Sequence, residues 1–143
     1  MKISILRLDP AVPLPSYQTA GSAGFDLAAS ADLTVPPGQI VLVPTGLVIA
    51  VPAGHFLGIY ARSSTPLKRG LMVANGVGVL DSDYSGPNDE IKIQVMNVTS
   101  IPVEIKRGDR LAQGVIQPFV RAKWEETSSV SGPDRGGFGS TGT

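Results

Sequence analysis

Two carboxylates stand two residues apart in a short polar segment, and this spacing can support acid–base chemistry. Asp81 and Asp83 fall within residues 75–86, NGVGVLDSDYSG. On a β-strand, side chains at i and i+2 point to the same face, so these two carboxylates would converge. That arrangement suits a general base with a supporting group, or a pair that holds the water around a metal ion. The competing structural interpretation is a β-hairpin with an acidic tip.

An arginine followed by two hydroxyl residues, at positions 61–64 (ARSS), is typical of a phosphate site. Arg62 would meet phosphate oxygens beside the free N–H groups of a helix start. Residues 64–70 (STPLKRG) predict one short helical turn, in which Ser64 can form the N-terminal cap and Gly70 can end the helix. A solvated arginine at an ordinary helix start explains the segment equally well.

Two further segments combine polar side chains with glycine. Residues 20–27 (AGSAGFDL) contain Asp26, and residues 110–114 (RLAQG) contain Arg110 and Gln113. The structural interpretation of the first is a glycine-rich turn in which Asp26 accepts hydrogen bonds from nearby amides. The second reads mostly as a strand whose Arg110 and Gln113 face solvent. Neither segment by itself indicates which ligand the protein binds.

The C-terminal residues 135–142, RGGFGSTG, place one aromatic ring among glycines and hydroxyls. A disordered end explains this composition but leaves Phe138 unexplained. A lid explains both, because the ring would stack on a planar ligand while amides and hydroxyls meet phosphate. No lysine follows the glycines, so an ATPase phosphate-binding loop is excluded.

The overall composition excludes several classes of protein. Lys and Arg together number 12, as do Asp and Glu, so no broad attraction to nucleic acid or anionic membrane is expected. There is no Cys and His55 is the single histidine, which excludes thiolate nucleophiles and a multi-histidine metal cage. No run approaches the roughly 20 apolar residues of a membrane span, and residues 1–5 alternate like a strand. We therefore expect a cytoplasmic protein.

Turn residues recur at short intervals and predict many strands. Triplets of proline, any residue and glycine stand at residues 36–38, 44–46 and 52–54, with apolar runs between them, which is typical of an antiparallel meander. Alternating patterns predict further strands at residues 2–8, 91–96, 103–106 and 111–116. The chain is therefore expected to be all-β, as a sandwich, jelly roll or distorted barrel. One domain is expected over residues 1–126, followed by a flexible Gly-rich tail over residues 127–143.

Taken together and in this order, the five polar segments resemble the five motifs of the trimeric deoxyuridine triphosphatase (dUTPase) family. The match runs from residue 20 to residue 142. The resemblance implies a jelly-roll-like distorted barrel and Mg²⁺-dependent hydrolysis of dUTP to dUMP and pyrophosphate, which keeps uracil out of DNA and supplies dUMP for dTMP synthesis. It also implies a homotrimer with shared active sites. Each site would combine the segments around Asp26, Arg62 and Gln113 from one chain, residues 75–84 from a second, and the tail from the third.

The resemblance implies roles for individual residues as well. Asp81 corresponds to the general base that activates the water attacking the α-phosphorus. Tyr84 corresponds to the ring that packs under deoxyribose and excludes a 2′-hydroxyl, and Phe138 to the ring that closes over uracil. Arg110 and Asp26 correspond to a supporting pair, with Asp26 reaching Mg²⁺ through water while the triphosphate holds most of the metal's coordination.

The implied substrate contacts fall into three groups. Residues 62–64 and Gln113 bind phosphate, Asn75 and the backbone of residues 78–80 read the uracil edge, and the tail covers the terminal phosphates. The full set of implied substrate-binding residues is Arg62, Ser63, Ser64, Asn75, Gly78, Val79, Leu80, Tyr84, Lys92, Gln113, Arg135, Phe138, Ser140 and Thr141.

The chain departs from the family pattern at three places, and two alternatives stay open. Ser64 stands where many relatives have Gly, residues 87–89 (PND) lengthen the third motif, and the tail motif is two residues shorter than usual. dCTP deaminases are similar in fold but use a Glu on the strand after the third motif, where only Glu90 stands here, at the strand's edge. A non-catalytic nucleotide-binding protein on the same scaffold is the second alternative, against which the intact Asp81 argues.

Overall fold

Nearly all the regular secondary structure of the chain is short antiparallel strand. The structure, a computed structural model, describes residues 1–137. Its strands and single short helix are β1 (Ser4–Arg7), β2 (Phe25–Ala28), β3 (Leu33–Val35), β4 (Ile40–Pro44), β5 (Leu47–Ala50), β6 (His55–Ala61), α1 (Ser64–Arg69), β7 (Leu71–Val73), β8 (Gly78–Leu80), β9 (Lys92–Asn97), β10 (Val103–Ile105) and β11 (Arg110–Pro118). The all-β prediction is confirmed. The strands predicted at residues 2–8, 91–96, 103–106 and 111–116 are present as β1, β9, β10 and β11.

The strands pair across long sequence separations. A four-stranded sheet has the order β2-β11-β6-β8, a three-stranded sheet has the order β4-β9-β7, and two pairs join β1 with β5 and β3 with β10. Every pairing is antiparallel. Strands that are far apart in the sequence therefore close the molecule into a jelly-roll-like distorted barrel, as expected.

The predicted antiparallel meander is wrong. The turns lie where the proline–glycine triplets placed them, with Gly38, Gly46 and Gly54 at φ values of 69°, 67° and 78°. However, β3 to β6 do not pair with one another, because each joins a strand from elsewhere in the chain. A local turn signal marks where the chain changes direction, but it does not specify the sheet that the next strand enters.

The core is built from the inward faces of these sheets. In β9 the alternation is as predicted: Ile93 and Val95 are fully buried, while Lys92 is exposed. Each buried Ile or Leu side chain stabilises the fold by about 1.5–3 kcal/mol relative to an exposed one. Buried Asn97 is fully bonded, because its amide nitrogen donates to the carbonyls of Val35 and Ile101 at 2.8 and 2.7 Å. The sheets are thus joined by both apolar packing and buried hydrogen bonds.

The single helix lies where the sequence predicted it, but its N-terminal cap differs. Ser63, rather than Ser64, occupies the cap position, and its side chain makes no capping hydrogen bond. The predicted cap at Ser64 is therefore wrong, because Ser64 is already the first helical residue. Gly70 ends the helix as predicted, in the left-handed conformation at φ 62°.

The chain after β11 is exposed and without strands or helices through the last described residue. Residues 119–137 have no regular secondary structure, and Val120, Trp124 and Val130 are at least 90% exposed. The domain boundary after residue 126 stays a prediction. Of the predicted tail contacts, Arg135 is described and exposed, whereas Phe138, Ser140 and Thr141 lie outside the described residues. No helix in residues 1–137 is long and apolar enough to cross a membrane.

Candidate active site

A half-buried aspartate links two arginines at one end of the four-stranded sheet. Asp26 Oδ1 lies 2.7 Å from Arg62 Nε, and Asp26 Oδ2 lies 2.9 Å from Arg110 Nη1. The Asp26 side chain is only 12% exposed. The predicted proximity of Arg110 and Asp26 is therefore present. The resemblance placed the segments around Asp26 and Arg62 in one chain's part of the site, but it did not predict the direct ion pair between them, which depends on the pairing of their strands through β11.

Strand register explains why these side chains meet. In the sheet, Gln113 of β11 lies opposite Asp26 of β2 on one side and Tyr60 of β6 on the other. Gln113 Nε2 donates to the carbonyl of Ala61 at 3.1 Å, next to Arg62. At Gly114 an added Cβ would lie 2.6 Å from the Phe25 ring, so only glycine allows β2 to pack this closely against β11.

These residues line a polar cavity of about 410 Å³, which we call the arginine cavity. Its polar lining includes Asp26, Arg62, Ser63, Ser64, Gln113 and Ser22. Arg110 does not line this cavity, but it pairs with Asp26 beside it, so the ion-pair cluster of two arginines and one aspartate carries a net positive charge. Ser63 occupies the cap position but its side chain makes no capping hydrogen bond, so the hydroxyls at the helix start can donate to an anion. The cavity therefore has the chemistry of a phosphate-binding site.

A second cavity, of about 340 Å³, contains the predicted general base, and we call it the Asp81 cavity. Its lining includes Asp81, Tyr84, Lys92, Glu90, Leu80 and Val79. Asp81 is exposed, and its carbonyl accepts from the amide of Tyr84 at 3.2 Å in a turn. The Tyr84 hydroxyl donates to the carbonyl of Glu90 at 3.3 Å, which holds the ring over the cavity.

Two sequence expectations about this segment are wrong. The strand β8 ends at Leu80, so Asp81 and Asp83 lie in a turn and the two-residue spacing does not align them on a strand. This segment also does not form a β-hairpin with an acidic tip, because β8 before Asp81 and β9 after it belong to different sheets. Exposed Asn75 begins the tight turn between β7 and β8, with the amide of Val77 donating to the Asn75 carbonyl at 2.8 Å.

The strand β8 lies at an edge of the four-stranded sheet. It pairs only with β6, which leaves the backbone groups on its other side without a strand partner among residues 1–137. Gly78 is buried against Ile59, while Val79 is 61% exposed. An edge strand presents a row of N–H and C=O groups that can bond another molecule. The backbone of residues 78–80 is thus available for such contacts.

The two cavities lie at opposite ends of the same sheet. In β6, Leu57 pairs with Leu80, so Asp81 continues toward the His55 end of the strand. Arg62 follows the other end of β6, after Ala61. At about 3.3 Å per residue, the six residues that separate the two ends span roughly 20 Å. One chain therefore does not bring Asp81 to the arginine cavity.

Comparison with known proteins identifies the family. The family model described as dUTPase matches residues 11–142. A deoxyuridine 5′-triphosphate nucleotidohydrolase of Anaplasma marginale is 45% identical, covering 100% of this chain and 99% of the relative. One from Desulfitobacterium hafniense is 48% identical, covering 99% and 95%. The crystal structure of the Streptococcus mutans dUTPase superposes with a TM-score of 0.78 at 36% identity, covering 87% of this chain and 100% of that one.

The chain belongs to the dUTPase family. This conclusion confirms the resemblance drawn from the five motifs, and the matching structure confirms the jelly-roll-like fold. The match covers the segments of both cavities, although it does not by itself assign a role to any residue in them.

The described residues alone do not build a metal cage. No group of three or more His, Cys, Asp or Glu residues that could hold a metal occurs within residues 1–137. In this dUTPase-family chain both oxygens of Asp26 already accept hydrogen bonds or ion pairs from arginines. Direct coordination by Asp26 would break one of those contacts, whereas a contact through metal-bound water would not. A Mg²⁺ that arrives with a triphosphate fits these residues better than a resident ion.

A third cluster near the arginine cavity was missed by the sequence analysis. Arg69, at the end of α1, donates twice to Asp109 in the turn before β11, at 2.7 Å from each nitrogen. The pKa of Asp109 is lowered mainly by this hydrogen bonding from Arg69, and the same contact raises the pKa of Arg69. The residues are 40 positions apart, so no local pattern in a dUTPase-family sequence signals the pair.

Proposed function

We propose that this chain hydrolyses dUTP to dUMP and pyrophosphate by attack of water on the α-phosphorus. The observation that carries the proposal is membership of the dUTPase family over residues 11–142, together with a polar cavity lined by Asp26, Arg62 and Gln113, beside which Arg110 pairs with Asp26. Relatives of nearly the same length are deoxyuridine 5′-triphosphate nucleotidohydrolases. By this function the enzyme keeps uracil out of DNA and supplies dUMP for dTMP synthesis. The cytoplasm is the proposed location.

The arginine cavity binds the triphosphate. Arg62, Ser63 and Ser64 meet phosphate oxygens, because the guanidinium and hydroxyl groups there are donors around a net positive cluster. Gln113, tied to the carbonyl of Ala61, adds a side-chain amide at the same place. Asp26 orients both arginines, so less conformational freedom is lost when phosphate binds.

The Asp81 cavity supplies the base and the sugar contact. Asp81 removes a proton from the attacking water, a role to which its exposed carboxylate is suited. A positioned general base accelerates such a reaction by about 10²–10⁴-fold. The Tyr84 ring, held by its bond to Glu90, packs under the deoxyribose and leaves no room for a 2′-hydroxyl. Lys92 lines the same cavity and contacts the nucleotide there.

The edge strand β8 recognises uracil. Its unpaired backbone groups at residues 78–80 bond the polar edge of the base, as a sheet edge does in strand addition. Asn75 assists from the turn that precedes the strand. Hydrogen-bonded recognition of this kind discriminates between bases far more strongly than a pocket defined by shape alone. The edge position of Gly78, Val79 and Leu80 supports their assignment as substrate contacts.

The separation of the two cavities supports a homotrimer with shared sites. If Asp81 and Arg62 lie roughly 20 Å apart in one chain, a second chain must bring its Asp81 to the first chain's arginine cavity. The outer face of the three-stranded sheet offers a surface for this, because Ile40, Leu42 and Met72 are each about half exposed. The tail residues Arg135, Phe138, Ser140 and Thr141 would close each site from the third chain.

Magnesium is the proposed cofactor. A triphosphate repels an incoming nucleophile, and Mg²⁺ with arginine side chains screens that charge. The triphosphate would hold most of the metal's coordination. Asp26 would contact the metal through water while keeping its ion pairs with Arg62 and Arg110.

Deamination of dCTP is the rival reaction on this fold, and the position of Glu90 speaks against it. One carboxylate oxygen of Glu90 accepts from the amide of Gly46 at 2.8 Å, so the side chain is tied to a backbone turn. The test compares pyrophosphate release from dUTP, dTTP, dCTP and UTP with Mg²⁺, and ammonia release from dCTP. We expect pyrophosphate from dUTP alone at a high rate. Ammonia from dCTP, or no product from any nucleotide, would reject the proposal.

A mixing experiment tests the shared sites. Asp81→Asn chains and Arg62→Ala chains should each be nearly inactive. In mixed trimers, about one quarter of the sites should receive Asp81 from one type of chain and Arg62 from the other. We therefore expect activity to return on mixing. If subunit exchange is shown by mass spectrometry and activity stays absent, both residues belong to one chain's site and the model is wrong.

A further inference from the structure

Helix α1 is too short to hold its own position. Isolated helices shorter than about 12–15 residues are marginal in water, and α1 has 6 residues. Its start lacks a side-chain cap. Its place therefore depends on contacts with the rest of the molecule. This matters for the arginine cavity, because Arg62 and Ser63 directly precede the helix and Ser64 is its first residue.

Two side chains of α1 fasten it to the region where β11 begins. Buried Thr65 donates through its hydroxyl to the carbonyl of Leu111 at 2.7 Å. One turn later, Arg69 makes its two 2.7 Å bonds to Asp109. A bidentate arginine–carboxylate pair fixes orientation as well as distance, because both groups are planar. The two contacts hold the first and the last turn of the helix.

Asp109 is itself firmly placed. Its carboxylate accepts from the amide of Lys106 at 2.9 Å, and its carbonyl accepts from the amide of Ala29 at 2.9 Å. The first contact closes the turn between β10 and β11, and the second joins that turn to the end of β2. Asp109 is also the residue before Arg110, one of the two arginines on Asp26. The pair thus connects α1 with β2 and β11, the strands that carry Asp26 and Arg110.

We propose that Arg69 and Asp109 are positioning residues that hold residues 62–64 in register with Arg110, so that the arginine cavity keeps the shape that binds phosphate. Both side chains line a polar cavity of about 500 Å³ that Arg62, Ser64 and Arg110 also line. Because the Arg69 guanidinium and the Asp109 carboxylate are already paired with each other, they act on the phosphate contacts through α1 and the turn. The inference rests on the proposed function, since its readout is the binding of dUTP and pyrophosphate.

The test measures steady-state kinetics with dUTP and the binding of pyrophosphate by calorimetry. Arg69→Gln and Asp109→Asn should each raise KM for dUTP and Kd for pyrophosphate by about three- to ten-fold, with a smaller change in kcat. The double variant should show no larger effect than either single one, because both remove the same contact. Arg69→Lys keeps a charge beside Asp109 but loses the bidentate geometry, so it should recover only part of the affinity.

Arg107→Gln is the matched control. Arg107 belongs to the same turn and pairs with Asp9 at 2.8 Å, but it does not touch α1. It should change KM by less than about two-fold. Melting temperatures are measured for all variants, and KM is measured at a temperature far below every unfolding transition. A change in KM then reports a loss of binding and not a loss of folded protein.

Three outcomes would overturn the inference. If Asp109→Asn tightens pyrophosphate binding while Arg69→Gln weakens it, Arg69 contacts phosphate directly and Asp109 restrains it. If Arg69→Gln lowers the melting temperature but matches Arg107→Gln in KM, the pair serves stability alone. If the effects of the two substitutions on KM and Kd add in the double variant, the residues act independently and do not position α1 as a pair. Asp109→Asn and Arg69→Lys keep the test decisive if Arg69→Gln fails to fold. A wild-type protein inactive on dUTP would instead reject the proposed function.

Discussion

The two halves of the proposed site are built in different ways. The arginine cavity is fixed within one chain: Asp26 is only 12% exposed, and two ion pairs hold Arg62 and Arg110 on it. The Asp81 cavity lies beside an edge strand, with Asp81 in an exposed turn. The binding half is therefore preorganised within one chain, whereas in the proposed trimer the half that carries the base would be completed by assembly. Substitutions in the two halves should consequently have different effects on stability and on turnover.

The largest effect is expected for Asp81→Asn. The amide cannot accept the proton from the attacking water, so kcat should fall by about 10²–10⁴-fold. Because Asp81 is exposed, the melting temperature should stay at the wild-type value. Pyrophosphate release at saturating dUTP gives kcat, and calorimetry with a non-hydrolysable dUTP analogue should show retained binding. Turnover near the wild-type rate would remove Asp81 from the role of base.

Asp26→Asn should reduce both stability and activity, in contrast to Asp81→Asn. The neutral side chain loses the ion pairs to Arg62 and Arg110, and each hydrogen bond to a charged group contributes about 1.5–3 kcal/mol. We expect kcat/KM to fall by about ten- to hundred-fold, because the arginines lose their orientation. Thermal unfolding should show a lower midpoint. A lowered midpoint with unchanged kcat/KM would make Asp26 a purely structural residue.

Tyr84→Ala should change selectivity rather than stability. Removing the ring opens space at the 2′ carbon of the sugar, so the preference for dUTP over UTP should fall by about ten-fold. Tyr84 is 43% exposed, and its hydroxyl bonds only a backbone carbonyl at 3.3 Å, so the fold should tolerate the change. The ratio of kcat/KM for the two nucleotides decides the point. An unaltered ratio would place the sugar contact on another residue.

The smallest effect concerns the pH dependence of stability at Asp109. Hydrogen bonding from Arg69 lowers the pKa of Asp109 in the folded protein below the ordinary value of 3.8. The stability gained is therefore fully present above that ordinary pKa and is lost as pH falls through the lower, folded pKa. For a partly exposed pair we expect about 1 kcal/mol at most. At pH 7 the melting temperature of the wild type should be higher than that of Asp109→Asn, and this difference should shrink as the pH falls below 3.8. A difference that stays constant with pH would contradict the prediction.

Local features of the site were predictable from the residues, whereas its pairings were not, and the proximity of Asp26 and Arg110 was expected only from the resemblance to the dUTPase family. Helix α1 and its end at Gly70 followed from turn chemistry, and the alternation of β9 followed from burial of one strand face. The ion pair of Arg62 with Asp26, and that of Arg69 with Asp109, join residues 36 and 40 positions apart. No local pattern encodes such contacts, because they depend on which strands become neighbours.

The amino-acid sequence by itself determined the all-β class, the positions of the turns, and the five motifs that place the chain in the dUTPase family. These properties depend on residue types within a few positions of one another. Only the tertiary structure decided that β3 to β6 enter different sheets, that Asp81 lies in a turn, and that it lies at the far end of β6 from Arg62. Strand pairing is selected by the burial of whole sheet faces, which is a property of the complete chain rather than of any segment.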